Sequence, residues 1–258
     1  MKKLAYLSMG VIVITAMALT LSLRGTGGSE TVVPQKHPVE QVAEPENTGV
    51  NTAAEEIDIK PLQHSLDAAD SLWLVVNKDR PISLEYVPIE LREVDVARRE
   101  DKSKLELSMR DDAATALETL FAAAEVDGLH LLLGSGYRSA DLQNTYYTSY
   151  VAAYGQEDAD KFSARPGTSE HQTGLVADVS PKSRNCYLEI CFADTPEGKW
   201  VKDNAHNYGF VVRYPEGKEA ITGYQFEPWH LRFVGEDLAQ DLYDASQTLE
   251  EFFDLLPS

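Results

Sequence analysis

Residues 4–23, LAYLSMGVIVITAMALTLSL, form an apolar run without a single charge. About twenty residues of helix span a bilayer, so this run can leave the aqueous phase as one helix. That separates it from whatever the remaining chain folds into. Lys2 and Lys3 precede it, and basic flanks favour the cytoplasmic side, which puts the rest of the chain beyond the membrane. The run is long for a cleaved signal peptide, lacks a clear A-x-A site, and is followed by no cysteine that could carry a lipid. An uncleaved signal anchor over residues 1–23 is the preferred expectation, with a cleaved signal peptide as the alternative. Either makes the folded part extracytoplasmic, tethered or secreted.

Residues 24–60 are rich in Gly, Pro, Glu and Thr and show no sustained apolar periodicity. They read as a flexible tether, leaving residues 61–258 as one folded domain. The formal net charge of -19 makes a surface that repels phosphate backbones, so nucleic acid is a poor partner. Cys186 and Cys191, in NCYLEIC, do not have the spacing of a redox or zinc-ribbon motif. In an oxidising compartment they suit a short-loop disulfide; otherwise they are two unpaired thiols.

Within the domain, residues 62–80 read as a short helix followed by a strand over 72–76. Pro81 and Pro88 punctuate the segment after it. The Ala- and Leu-rich stretch 111–126 has helical spacing, with Asp residues where a helix dipole favours them. Then come a buried strand running into a glycine turn (LHLLLGSGYRS), a helix over 140–154, a strand in LVADVS, a helix over 199–207 and a strand in GFVVRYP. YQFEPWHLRFVG reads as a strand with a turn inside it, and residues 236–256 as one or two amphipathic helices. No regular βαβ repeat appears. The expected class is α+β, a small central, mainly antiparallel sheet flanked by helices.

The chemistry gathers in two segments. In RPGTSEHQTGLVADVS, His171 and Asp178 lie on either side of Gly174, and in FEPWHLRF, Glu227 precedes His230 by three residues. A glycine turn lets a loop His and a strand Asp point at one centre. Two imidazoles and one carboxylate, with a second carboxylate to spare, match a catalytic zinc site, in which three protein ligands leave a fourth position for water. The metal lowers the pKa of that water and polarises a carbonyl. Glu227, left unligated, can take the water proton and pass it to the leaving amine. A third segment, SGYRS, sets Arg138 on a turn after an apolar run, where a guanidinium can clamp a carboxylate or form a structural ion pair.

SGYRS with Gln143, then SEHQTGLVADV, then EPWHLRFVG resembles the D-alanyl-D-alanine carboxypeptidase family of zinc peptidases, which includes the VanY type and related L,D-carboxypeptidases. The likeness covers roughly residues 72–235; Val176 stands where the family often has a small residue. The resemblance implies one zinc ion held by His171, Asp178 and His230, Glu227 as catalytic base and Arg138 facing the substrate carboxylate. It also implies that Ser169 and Gln143 line the substrate site, and that the substrate is a stem peptide of bacterial peptidoglycan. D,D-carboxypeptidase action is the expected reaction. L,D action on tetrapeptide stems is the nearest alternative, ahead of an endopeptidase, a non-catalytic wall-binding module or a structural zinc domain. His206 reads as a structural helix-end residue, Arg213 as either a wall contact or an internal ion pair, and Tyr146, Tyr147 and Tyr150 as packing or groove.

Overall fold

The computed structural model describes residues 63–257. The expected anchor, residues 1–23, and tether, 24–60, lie outside the described residues. Among the described residues no helix is long and apolar enough to cross a membrane. In chain order the elements are β1 (Leu91–Glu93), β2 (Ser108–Arg110), α1 (Asp111–Val126), β3 (Leu131–Ser135), α2 (Ala140–Tyr154), α3 (Gln156–Phe162), β4 (Val176–Pro181), α4 (Pro196–Asn204), β5 (Phe210–Tyr214), α5 (Glu219–Thr222), β6 (Glu227–Phe233), α6 (Glu236–Ala245) and α7 (Leu249–Phe252). β1 and β2 form a small antiparallel pair, and the main sheet runs β3-β4-β6-β5 with every pairing antiparallel. The expected α+β class with an antiparallel sheet holds.

Strand alternation divides the main sheet into two chemically different faces. Ala177, Val179, Trp229, Leu231 and Phe233 bury one face against Ala113, Leu117, Leu120 and Phe121 of α1. The interleaved positions, Asp178 on β4 with His230 and Arg232 on β6, belong to the other face. Register fixes what meets there: Asp178 lies directly opposite His230, and Val176 opposite Arg232. A second apolar cluster joins Leu238, Ala239 and Leu242 of α6 to Leu249, Val234 and Val75.

Three local expectations need correction. Of the segment 62–80, the described residues 63–80 contain no helix and no strand. Leu74, Val75 and Val76 are buried, but the Leu72 and Leu74 carbonyls accept hydrogen bonds from the Arg232 guanidinium at 2.9 and 2.7 Å instead of joining a sheet. β6 runs unbroken where an internal turn was expected. Its Pro228, which has no N–H for a ladder, falls where the β5–β6 register shifts. The helix expected over 199–207 begins at Pro196, because the Thr195 hydroxyl caps it by accepting from the Gly198 N–H at 3.0 Å. Cys186 and Cys191 are joined as a disulfide, Cα to Cα 5.5 Å.

Leu231 is fully buried on the apolar face, between His230 and Arg232 in sequence. Leu231→Ala is expected to lower the unfolding free energy by about 2–5 kcal/mol through lost burial and the cavity left behind, measured by urea denaturation.

Candidate active site

His171 comes from a single 3₁₀ turn, Glu170–Thr173, closed by Gly174 in the left-handed region at φ +70°. A Cβ there would stand 3.0 Å from Leu91 Cδ2 and 3.2 Å from Pro88 Cγ, so conformation and space both call for glycine. The turn delivers the chain into β4, whose Asp178 faces both imidazoles. His171 Nε2 is 3.3 Å from one Asp178 oxygen and His230 Nδ1 is 3.3 Å from the other. His171 Nδ1 lies 2.6 Å from the Gly136 carbonyl, which can only accept. The proton therefore sits on Nδ1, and the Nε2 lone pair faces the centre. The Ser135 hydroxyl donates to Asp178 and accepts from Arg138.

Ligand atoms of His171, Asp178 and His230, all three buried, lie within 4.8 Å of one another. Asp178 Oδ1 is buried without a hydrogen-bond partner. An orphaned carboxylate oxygen facing two imidazoles fits a divalent cation, and the N, N, O donor set with room for a further ligand is that of a catalytic zinc. Glu227 Oε2 is 3.6 Å from His230 Nδ1 and stands outside the three-donor group. Burial pushes the Glu227 carboxyl up to about 8, against the pull of His230. Burial alone would lower the His230 imidazole, but the facing carboxylates of Asp178 and Glu170 lift it to about 9. Burial and then the Arg138 charge hold His171 below its ordinary value.

A cavity of about 490 Å³ opens over this centre. Arg138, Gln143 and Ser169 all line it, together with Tyr146 and Tyr150. Arg138 is held in place: it donates to Gln143 Oε1 at 3.0 Å and lies 5.2 Å from the Tyr146 ring. Gln143 is locked in turn, donating to the Ala164 carbonyl at 2.6 Å. Tyr147 instead hydrogen-bonds Asp160 through its hydroxyl. His206 stacks on Tyr243 at 3.6 Å and takes no part in the cavity.

Arg213 resolves as an internal ion pair. It donates to Glu170 at 2.8 Å and to both Glu250 oxygens at 2.8 and 2.6 Å. Glu170, next to His171, also accepts from Arg232 at 2.7 Å. Burial would raise the Glu170 carboxyl, but Arg213 and then Arg232 hold it well below the usual carboxylate range. Its other oxygen, without a partner, is 3.9 Å from His230 Nε2, also without one. Sequence reasoning missed Glu170 and Arg232. The available signal was period two: His230 and Arg232 alternate with Trp229, Leu231 and Phe233, marking a polar face on a strand otherwise buried.

The fold and donor set define an α+β metallopeptidase. The family model of VanY, D-alanyl-D-alanine carboxypeptidase, matches residues 106–236. A D-alanyl-D-alanine carboxypeptidase of Enterococcus faecalis (strain ATCC 700802 / V583) is 30% identical over 260 residues, covering 97% of this chain and 90% of the relative. The solved structure of LdcB, an LD-carboxypeptidase, matches at 41% identity and TM-score 0.69, covering 73% of this chain and 88% of that one. A mutant of the vancomycin-resistance D,D-pentapeptidase VanY from a VanB-type cassette, solved in complex with Zn(II), matches at 30% identity and TM-score 0.57, covering 72% and 99%. This chain belongs to the VanY family of zinc-dependent carboxypeptidases.

Glu170→Ala would leave the fully buried Arg232 guanidinium without a carboxylate. It is expected to cost about 3–5 kcal/mol of stability, read from urea unfolding.

Proposed function

We propose that this protein is a zinc D,D-carboxypeptidase that removes the terminal D-alanine from peptidoglycan stem peptides. The observation that carries this reading is the meeting, in one buried cavity, of the His171–Asp178–His230 donor set, the spare Glu227 carboxylate and the Arg138 guanidinium. The matched D-alanyl-D-alanine carboxypeptidases support the substrate class. A second reading, L,D cleavage of tetrapeptide stems, has its own support in the greater likeness to LdcB, at 41% identity and TM-score 0.69 against 30% and 0.57 for VanY. Residues 1–23 would anchor the chain in the bacterial cytoplasmic membrane, with residues 24–60 as the tether.

His171, Asp178 and His230 hold the zinc, which when bound polarises a carbonyl and makes water more acidic. Arg138, oriented by Gln143 and Ser135, pairs with the free C-terminal carboxylate and so sets which peptide bond lies over the centre. That pairing favours an exposed C-terminus over the internal bonds an endopeptidase cuts. Glu227 accepts the proton of the attacking water and gives it to the leaving amine nitrogen. Burial makes the carboxyl a stronger base than an exposed one, and the charge of a bound zinc would favour the ionised form that accepts the proton. Ser169 and Gln143 shape the substrate side of the cavity.

The purified full chain, loaded with zinc, is expected to release D-alanine from a defined pentapeptide stem, detected by mass. Release from a tetrapeptide stem alone moves the assignment to L,D, and release from neither removes the carboxypeptidase reading. Glu227→Ala is expected to slow release about a hundred- to ten-thousand-fold while zinc stays bound.

Zinc affinity should rise with pH. His230, lifted to about 9, carries a proton at neutral pH that must leave Nδ1 before that atom can ligate. Affinity is therefore lowest near pH 6 and climbs toward pH 9, measured by competition with a chelator at each pH. A flat profile would mean that His230 binds without losing a proton.

A further inference from the structure

One wall of the cavity plays no part in holding the metal or in the proton transfer. Tyr187 and Leu188 line it, and both lie inside the loop closed by the Cys186–Cys191 disulfide. Cys186 and Leu188, the immediate neighbours of Tyr187, take φ of +54° and +50°. Residues with a Cβ rarely hold the left-handed region unless the surroundings impose it, and here the covalent bridge spans the segment.

The Tyr187 ring rests on the bulge of β3. A Cβ on Gly134 would stand 2.9 Å from the Tyr187 hydroxyl oxygen and 3.4 Å from its ring edge, so the glycine makes the place the ring occupies. Gly134 precedes Ser135, whose hydroxyl holds Asp178. Arg99 fixes the hydroxyl: its NH1 donates to the phenolic oxygen at 3.0 Å, and its guanidinium lies 5.1 Å from the ring centroid. Asp101 pins the other side of that guanidinium. A guanidinium only donates, so the phenolic oxygen accepts and keeps its own proton. Among the described residues no acceptor takes that proton, and the cavity lies open to it.

We propose that Tyr187 is a substrate-contact residue: its hydroxyl donates a hydrogen bond to a carbonyl or carboxylate oxygen of the bound stem peptide, and the Cys186–Cys191 disulfide holds it in place to do so. This rests on the carboxypeptidase reading above. The bridge and the glycine at 134 then serve substrate recognition, apart from the metal centre beside them.

The test is steady-state kinetics of the zinc-loaded full chain, on whichever stem the wild type cleaves. Wild type is compared with Tyr187→Phe and with the double variant Cys186→Ser/Cys191→Ser, and zinc content and melting are measured for each. Loss of one hydrogen bond predicts a KM raised about 3- to 10-fold in Tyr187→Phe, with kcat and zinc content held. The double variant is expected to raise KM at least as much. Tyr187→Phe keeps the ring and the bridge, so it decides the contact even if the double variant fails to fold. An unchanged KM in Tyr187→Phe overturns the contact, and so does a fall in zinc content with KM unmoved. A folded double variant with wild-type KM overturns the role of the bridge. A wild type that releases no D-alanine from any stem removes the carboxypeptidase reading, and this proposal with it.

Discussion

Glu170 and Glu250 bury two guanidinium groups inside a domain of modest size, and much of the architecture follows from that one necessity. A buried charge is tolerated only when it is paired and its remaining donors are filled. Arg213 has no exposed surface to speak of and meets both carboxylates. Arg232 meets Glu170 and spends its remaining donors on the Phe233, Leu72 and Leu74 carbonyls. The network therefore ties β5, β6, the 3₁₀ turn before β4, the segment 72–76 and α7 to one point. Removing Glu170 leaves Arg232 with no carboxylate in a low dielectric and Arg213 with Glu250 alone, so the tie between these elements is weakest at that one residue.

The metal centre borrows its rigidity from this network. Glu170 is the neighbour of His171 in sequence and faces the far nitrogen of His230 in space. The β4–β6 register then sets Asp178 across from His230. A one-residue slip would turn both side chains into the apolar layer under α1 and bring Ala177 and Leu231 out. Burial of that layer thus enforces the spacing of the ligands, and the chemistry needs no separate device to hold its strands in line.

How much of this could be read in advance depends on the range of each interaction. The ligands, Glu227 and Arg138 sit in short segments where a turn residue and a chemical residue lie side by side, so SEHQTG, EPWH and SGYRS were legible. The boundaries of α1 and α2 were legible too, because apolar spacing and caps are local. Glu170 and Arg232 were not, since their partners lie 43 and 62 residues away from Glu170 in the chain. The apolar run LWLVV looks like a strand by composition, but its carbonyls answer to an arginine some 160 residues further on. Periodicity describes which side of a segment is buried; it does not say what its backbone bonds to.

The same reasoning separates the two carboxylates that flank the centre. Asp178 lies between two imidazoles and under a serine hydroxyl, and these partners hold it well below the ordinary carboxylate range despite its burial. The Glu227 carboxylate, also buried, accepts no hydrogen bond among the described residues and is driven up to about 8 by burial. In the proposed mechanism one acid stays ionised as a ligand and the other is basic enough to carry a proton, on neighbouring strands of one sheet. The difference comes from what each carboxylate meets: a serine donor and two imidazoles at Asp178 on β4, and burial with His230 no nearer than 3.6 Å at Glu227, at the start of β6. A donor introduced beside Glu227 would erode that difference without moving a single ligand.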